Sequence, residues 1–270
     1  MFMPRSDALH GQVCLVTRPA HQNQGQIAQL SALGAEALTL PLISIEPVSD
    51  QSEFGLILKE AILNLDRYQA VIFVSPNAAR LGADWIDRYW PQLPIGVEWI
   101  GIGEQTTQAL QAAGFPAWHA AGYDSEALLA DARTQAVAGQ RILILRGNGG
   151  RELLSETLTE RGAQVDRCCV YQRLCPEYPQ ALIESTIYHP FLSAILITSG
   201  EGLKNLMYLA QRVKHASIDT LLSRLILVPS RRLYDQARSL GFTQIRVASG
   251  ADDRSMIAAL LPANDLEEQA

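Results

Sequence analysis

The chain has 270 residues, 48% hydrophobic and 19% charged, with a formal net charge of −6. That length and apolar content suffice for a large core, held in one large domain or two small ones. The acidic balance argues against a nucleic-acid surface, which calls for a basic stripe, but leaves small anions open, because local charge binds those. No stretch approaches 18 uninterrupted apolar residues, and the opening "MFMPRSDALHG" has no apolar signal core. Neither a membrane span nor a secretion signal is therefore expected, and the cytoplasm is the expected location. Cys14, Cys168, Cys169 and Cys175 lack CxxC spacing and the histidines form no HxxxH or HExxH pattern. Buried reduced thiols are expected, with no metal and no cofactor.

Short apolar, β-branched runs predict strands at 13–17 (VCLVT), 36–40 (EALTL), 70–74 (AVIFV), 97–102 (VEWIGI), 141–145 (RILIL), 163–168 (AQVDRC), 193–198 (SAILIT), 224–228 (RLILV) and 244–248 (QIRVA). Between most of them lies a stretch of helical periodicity, as in "EQTTQALQAAG" and "RRLYDQARSLG". Such alternation predicts an α/β class with parallel sheets and crossover helices.

The chain repeats itself. "GIGEQTTQALQAAGF" and "LVPSRRLYDQARSLGF" both end in Gly-Phe, and Gly103 to Gly114 spans the same distance as Ser230 to Gly241. Each is followed by a short strand and then by "AGYDSEALL" or "SGADDRSMIAAL". "VCLVTRPAHQNQGQIAQLSALGA" likewise matches "RILILRGNGGRELLSETLTERGA", with Arg18 and Arg146 at equivalent places. One copy runs continuously, whereas the other takes its arginine unit from the N-terminus and the rest from 193–260. The expected layout is a discontinuous domain 1 (1–40 and 177–262) with domain 2 (48–168) inserted. Linkers at 41–47 and 169–176 are expected to lie side by side as a hinge, and 263–270 is expected to be a disordered tail.

Ligands of open parallel sheets bind beyond the carboxyl ends of the strands, where helix N-terminal amides attract anions. Small residues mark those turns: Ser75-Pro76, Gly101, Gly103, the glycines of 147–150, Ser199-Gly200 and Pro229-Ser230. Arg18, Arg146, Arg151, Arg231 and Arg232 crowd them. The pattern suggests a cleft for a large polyanion. Taken alone, Ser75, Ser199 and Ser230 are ordinary helix N-caps, and Tyr171 is a half-buried strand tyrosine. "GNGGRE" and "GIGEQT" lack the endings of nucleotide loops. No catalytic triad, paired carboxylate or metal constellation stands out. A cytosolic two-domain sensor for a polyanionic small molecule remains an alternative, and a nucleotide-sugar transferase is weakened by the missing diphosphate loop.

Across nearly its whole length the chain resembles the uroporphyrinogen-III synthase family. The carriers are "LVTRPAHQ", "LPLISIEP", "VIFVSPNAAR", the G-x-x-T of "GIGEQTTQAL", "ILRGNGGRELL" with "LTERGAQV", the tyrosine of "VYQR" and "ILITSGEGL". The resemblance implies two Rossmann-like α/β domains on a two-stranded linker, with the active site in the cleft. It implies cyclisation of hydroxymethylbilane, a linear tetrapyrrole, to uroporphyrinogen III with inversion of ring D, without metal or cofactor. Tyr171 matches the family's tyrosine and is the candidate catalytic residue, donating a hydrogen bond to the leaving hydroxyl. The substrate-binding candidates are Arg18, Ser75, Gly103, Thr106, Arg146, Gly147, Thr198, Ser199 and Ser230. One departure is that Ser230 and Leu233 stand where the matching unit has Gly103 and Thr106. A monomer is expected, with no nucleic-acid or membrane partner and with the hydroxymethylbilane-forming enzyme as the expected protein partner.

Overall fold

The computed structural model describes residues 7–150 and 152–261. In chain order the elements begin with β1 (Val13–Val16), α1 (Gln24–Ala32), β2 (Glu36–Thr39), β3 (Ser44–Pro47), α2 (Glu53–Leu63), β4 (Ala70–Phe73) and α3 (Pro76–Tyr89). Next come β5 (Glu98–Gly101), α4 (Glu104–Ala112), α5 (Ser125–Ala130), β6 (Arg141–Gly147), α6 (Leu153–Glu160) and β7 (Gln164–Leu174). The chain continues through α7 (Gln180–Ile187), β8 (Leu192–Leu196), α8 (Gly200–Gln211), α9 (Ile218–Leu222), β9 (Leu225–Val228), α10 (Arg231–Ser239), β10 (Gln244–Val247) and α11 (Asp253–Ala258). Two compact units result: unit 1 from the described residues of Met1–Ser44 and Leu174–Ala270, and unit 2 from Ile45–Arg173. The tail expected at 263–270 lies outside the described residues.

Each unit holds a five-stranded sheet, ordered β10-β9-β8-β1-β2 in unit 1 and β3-β7-β6-β4-β5 in the other. The pairs β1–β2, β1–β8, β8–β9 and β9–β10 are parallel, as are β4–β5, β4–β6 and β6–β7. The central strands β1 and β4 are buried at every residue, as strands covered by helices on both faces must be. At the edge, Val48 N donates to Val170 O at 3.2 Å and Ser44 Oγ to Leu174 O at 3.4 Å, so β3 runs antiparallel to β7. The segment 169–176, expected as a linker, is through Leu174 the second half of β7. Residues 44–47 and 169–174 of the two expected linkers therefore lie side by side as extended strands, and the division between the units falls within both segments.

Local signals account for the helices. Ser75 accepts from Ala78 N at 3.1 Å and Pro76 occupies the first turn of α3, whose Ala78, Leu81, Trp85 and Ile86 are buried. α4 starts at Gly103 (φ 76°) and is followed by Gly114 (φ 86°), while α10 starts at Ser230 and is followed by Gly241 (φ 100°). The equal spacing in sequence is thus a helix with its start and stop. Asp124 and Asp252 cap α5 and α11 in the same way. Unit 2 is packed around Phe73, Trp85, Trp99 and Phe115, and unit 1 around Leu15, Ile195, Leu206, Ile226 and Phe242. Cys14 and Cys168 are buried as expected, whereas Cys169 and Cys175 are only half-buried, because one lies in the outer part of β7 and the other just past its end. Among the described residues no helix is long and apolar enough to cross a membrane.

Candidate active site

In unit 2 strand order reverses between β4 and β6, and a pocket of about 290 Å³ opens beyond their carboxyl ends. This is the switch-point crevice of open parallel sheets. Ser75 at the head of α3, Arg146 to Gly150 after β6, Tyr171 and Arg173 on β7, and Asp124 to Glu126 on α5 line it.

Tyr171 lines this pocket. Its OH lies 3.2 Å from Ser75 Oγ, and Arg173 Nη2 donates to it at 3.5 Å. The residue is only 1% exposed. Taken alone, the sequence suggested a half-buried strand tyrosine within the expected linker 169–176. Tyr171 is a strand residue but fully buried, opposite Gly147 in the β6–β7 register. Its ring occupies the space where a Gly147 side chain would stand: a Cβ there would lie 2.5 Å from Tyr171 Cζ. Gly147 therefore acts by leaving room for the ring.

The other candidates are placed as follows. Arg146 pairs with Glu152 at 3.1 Å and donates to Gly149 O. Burial works to raise the Glu152 carboxyl, but Arg146, Arg167 and the Ser155 hydroxyl outweigh it and hold the group below the usual carboxylate range. Gly103 lies on the α4 turn beside Tyr123. Thr106 is 2% exposed and lies on the buried face of α4. Thr107 beside it donates to Gly103 O at 3.1 Å and so shapes the turn.

Unit 1 repeats the arrangement where its order reverses, between β1 and β8. Arg18 pairs with Asp253 at 2.8 Å and donates to Ala251 O. Ser199 caps α8 through Gly202 N at 3.0 Å, Ser230 caps α10 through Leu233 N at 3.4 Å, and Thr198 is half-buried beside Ser199. Arg231 pairs with Asp235 at 3.2 Å, Arg232 is exposed, and Arg151 lies outside the described residues. Arg18, Arg146 and Arg231 are thus each paired with a carboxylate within their own unit.

Sequence reasoning missed Thr17, Asn148 and Arg173. Thr17 Oγ1 donates to Leu196 O at 2.5 Å across the switch point. Arg173 was legible, because it follows Tyr171 by two residues and strand periodicity puts both on one face. Asn148 had no local signal, since its partners lie on another strand.

Fold and site together define a two-unit α/β protein with a hydroxyl pair and helix N-termini at the carboxyl edge of a parallel sheet. The family model for uroporphyrinogen-III synthase HemD matches residues 26–258. The chain is 35% identical to the uroporphyrinogen-III synthase of Salmonella typhimurium over 248 residues, 91% of this chain and 98% of that one. Its identity to the Escherichia coli synthase is 34%, with the same coverage. The chain belongs to the uroporphyrinogen-III synthase family, and is an enzyme of tetrapyrrole biosynthesis with a small tetrapyrrole as substrate. A crystal structure of a mutant uroporphyrinogen III synthase from Thermus thermophilus superposes with a TM-score of 0.58 at 16% identity, covering 96% of this chain and 99% of that one. The Helicobacter pylori structure gives 0.57 at 12%, covering 92% and 96%. At such identities these two likenesses concern the fold alone.

Proposed function

We propose that the chain cyclises hydroxymethylbilane to uroporphyrinogen III with inversion of ring D and loss of water. In this reading it is a hydro-lyase that needs no metal or organic cofactor and acts as a cytoplasmic monomer, receiving substrate from the enzyme that forms the bilane. The observation that carries the reading is the Tyr171–Ser75 hydroxyl pair at the head of α3, 3.2 Å apart. Ser75 Oγ accepts from Ala78 N and gives its own proton to the Tyr171 oxygen, so the phenolic proton points to the leaving hydroxyl of the substrate. That hydroxyl departs as water on the electron push of the adjacent pyrrole, and positioned acid assistance lowers the barrier further. The terminal methylene then attacks the substituted carbon of ring D, giving a spiro intermediate that reopens and recloses. The proton released on rearomatisation restores the phenol.

The substrate's carboxylates fall to the helix N-termini at the unit 2 pocket and to Thr198, Ser199 and Ser230 at the unit 1 edge. Contacts worth ~0.3–1 kcal/mol each, up to ~2 when partly buried, total a few to about 12 kcal/mol over about six to eight carboxylates. The upper half of that range reaches micromolar binding after association costs. Incubation of purified protein with hydroxymethylbilane, followed by oxidation and separation of porphyrin isomers, tests the proposal. The ring-inverted isomer is the expected product. The uninverted isomer alone, which forms by uncatalysed closure, would refute it and favour a ligand-binding role.

A further inference from the structure

The geometry points to Asn148 as a positioning residue for Tyr171, a role that rests on the reading of Tyr171 given above. At the end of β6 the register with β7 slips: Arg146 faces Cys169, but Gly147 faces Tyr171. A bulge of this kind interrupts the ladder and loosens the strand end unless something re-ties it. Asn148 re-ties it. Its N–H donates to Tyr171 O at 3.0 Å, its Oδ1 accepts from Arg173 N at 2.6 Å, and its Nδ2 reaches Arg173 O at 3.4 Å.

The carboxamide offers the same donor and acceptor as a peptide group, so it stands in for the next residue pair of the ladder, flanks Gln172 and fixes β7 on the C-terminal side of Tyr171. The following glycines, Gly149 at φ 70° and Gly150 at φ 102°, leave the chain beyond it free of such pairing geometry. The tie matters because the phenol has one useful position: the ring lies on Gly147, and its OH must stay within reach of Ser75 Oγ. A displacement of about 1 Å in a reacting group costs up to about a hundredfold in rate.

The test is a double-mutant cycle on hydroxymethylbilane turnover, with Asn148→Leu and Asn148→Asp each made in the natural chain and beside Tyr171→Phe. Asn148→Leu is expected to lower kcat about 5- to 20-fold with KM within about twofold. Asn148→Asp, which keeps the acceptor for Arg173 N, should recover kcat to within about threefold of the natural chain. Beside Tyr171→Phe, Asn148→Leu should add less than about twofold, because its effect runs through the missing hydroxyl. A double variant slowed by the product of the two single factors overturns the inference, as does unchanged kcat in Asn148→Leu when Tyr171→Phe alone is slow. Unchanged kcat in Tyr171→Phe removes the role of the phenol itself, and this inference with it. Should Asn148→Leu fail to fold, Asn148→Ala serves in the same cycle under the same criteria.

Discussion

The phenol of Tyr171 and the α-carbon of Gly147 occupy one small volume, and each limits the other. Tyr171→Phe keeps the ring in place and removes only the hydrogen bonds to Ser75 and Arg173. We expect kcat to fall roughly 10- to 100-fold, about 1.4–2.7 kcal/mol, with KM little changed and the ring-inverted isomer still formed. Steady-state kinetics with isomer analysis checks this, and a switch to the uninverted isomer would show instead that the phenol steers ring D. Gly147→Ala places a methyl 2.5 Å from Tyr171 Cζ, so either the ring or β6 must shift. Urea unfolding should show a loss of ~1–3 kcal/mol, together with slower turnover. Gly147 was legible as a small residue in a loop, but the reason for its smallness was not, since the ring it admits comes from another strand.

Helices illustrate how far local signals reach. Ser75, Ser199 and Ser230 each accept from the third residue onward, as a serine after an apolar strand predicts. Ser199→Ala should cost ~0.5–2 kcal/mol in thermal or urea unfolding, with turnover reduced less than about tenfold. A thousandfold loss in the folded variant would point to chemistry at Ser199. The nine strands predicted from sequence were mostly legible to within a residue or two because apolar runs end at Gly, Pro or Ser, whereas β3 read only as part of a linker. β7 was the other exception: "VYQRL" continues the strand after its apolar part ends, and only the groups offered by β6 and β3 decide where it stops. The burial of Thr106 was likewise not legible from its neighbours. Three residues after Gly103, it suited a ligand-facing first turn, but helical rotation carries it with Thr107 and Leu110 onto the core face.

Across the molecule, the fully buried thiol of each sheet, Cys14 and Cys168, couples its titration to folding. Burial pushes Cys14 up to about 11 and Cys168, with Asp166 adding to burial, up to about 12. Below pH 9 both thiols keep their protons folded or unfolded, and the stability they contribute is fully present. As pH rises from about 9 the unfolded chain releases protons that the folded chain retains, so stability falls until the folded groups titrate. For Cys14 the two-unit rise corresponds to about 2–3 kcal/mol. The urea midpoint should therefore drop between pH 8 and 10.5, and Cys14→Ala should flatten that slope; an unchanged slope in the variant would count against the coupling. Extensive dialysis against a chelator is expected to leave turnover unchanged, whereas activity lost and then restored by added metal would contradict the cofactor-free reading.

Element order, the internal repeat, the α/β class and the caps are properties of neighbours in the chain, and residue pattern alone determined them. Partnership is different. Arg18 meets Asp253, Arg146 meets Glu152 and Arg231 meets Asp235, so these three of the arginines that suggested a cationic site are matched by carboxylates of their own units. Tyr171 is buried because a parallel register sets it over Gly147. Which groups are neutralised, which are covered and which remain for a ligand depend on what the fold places opposite them. Burial and electrostatic pairing act through space, and only the tertiary structure brings such residues together.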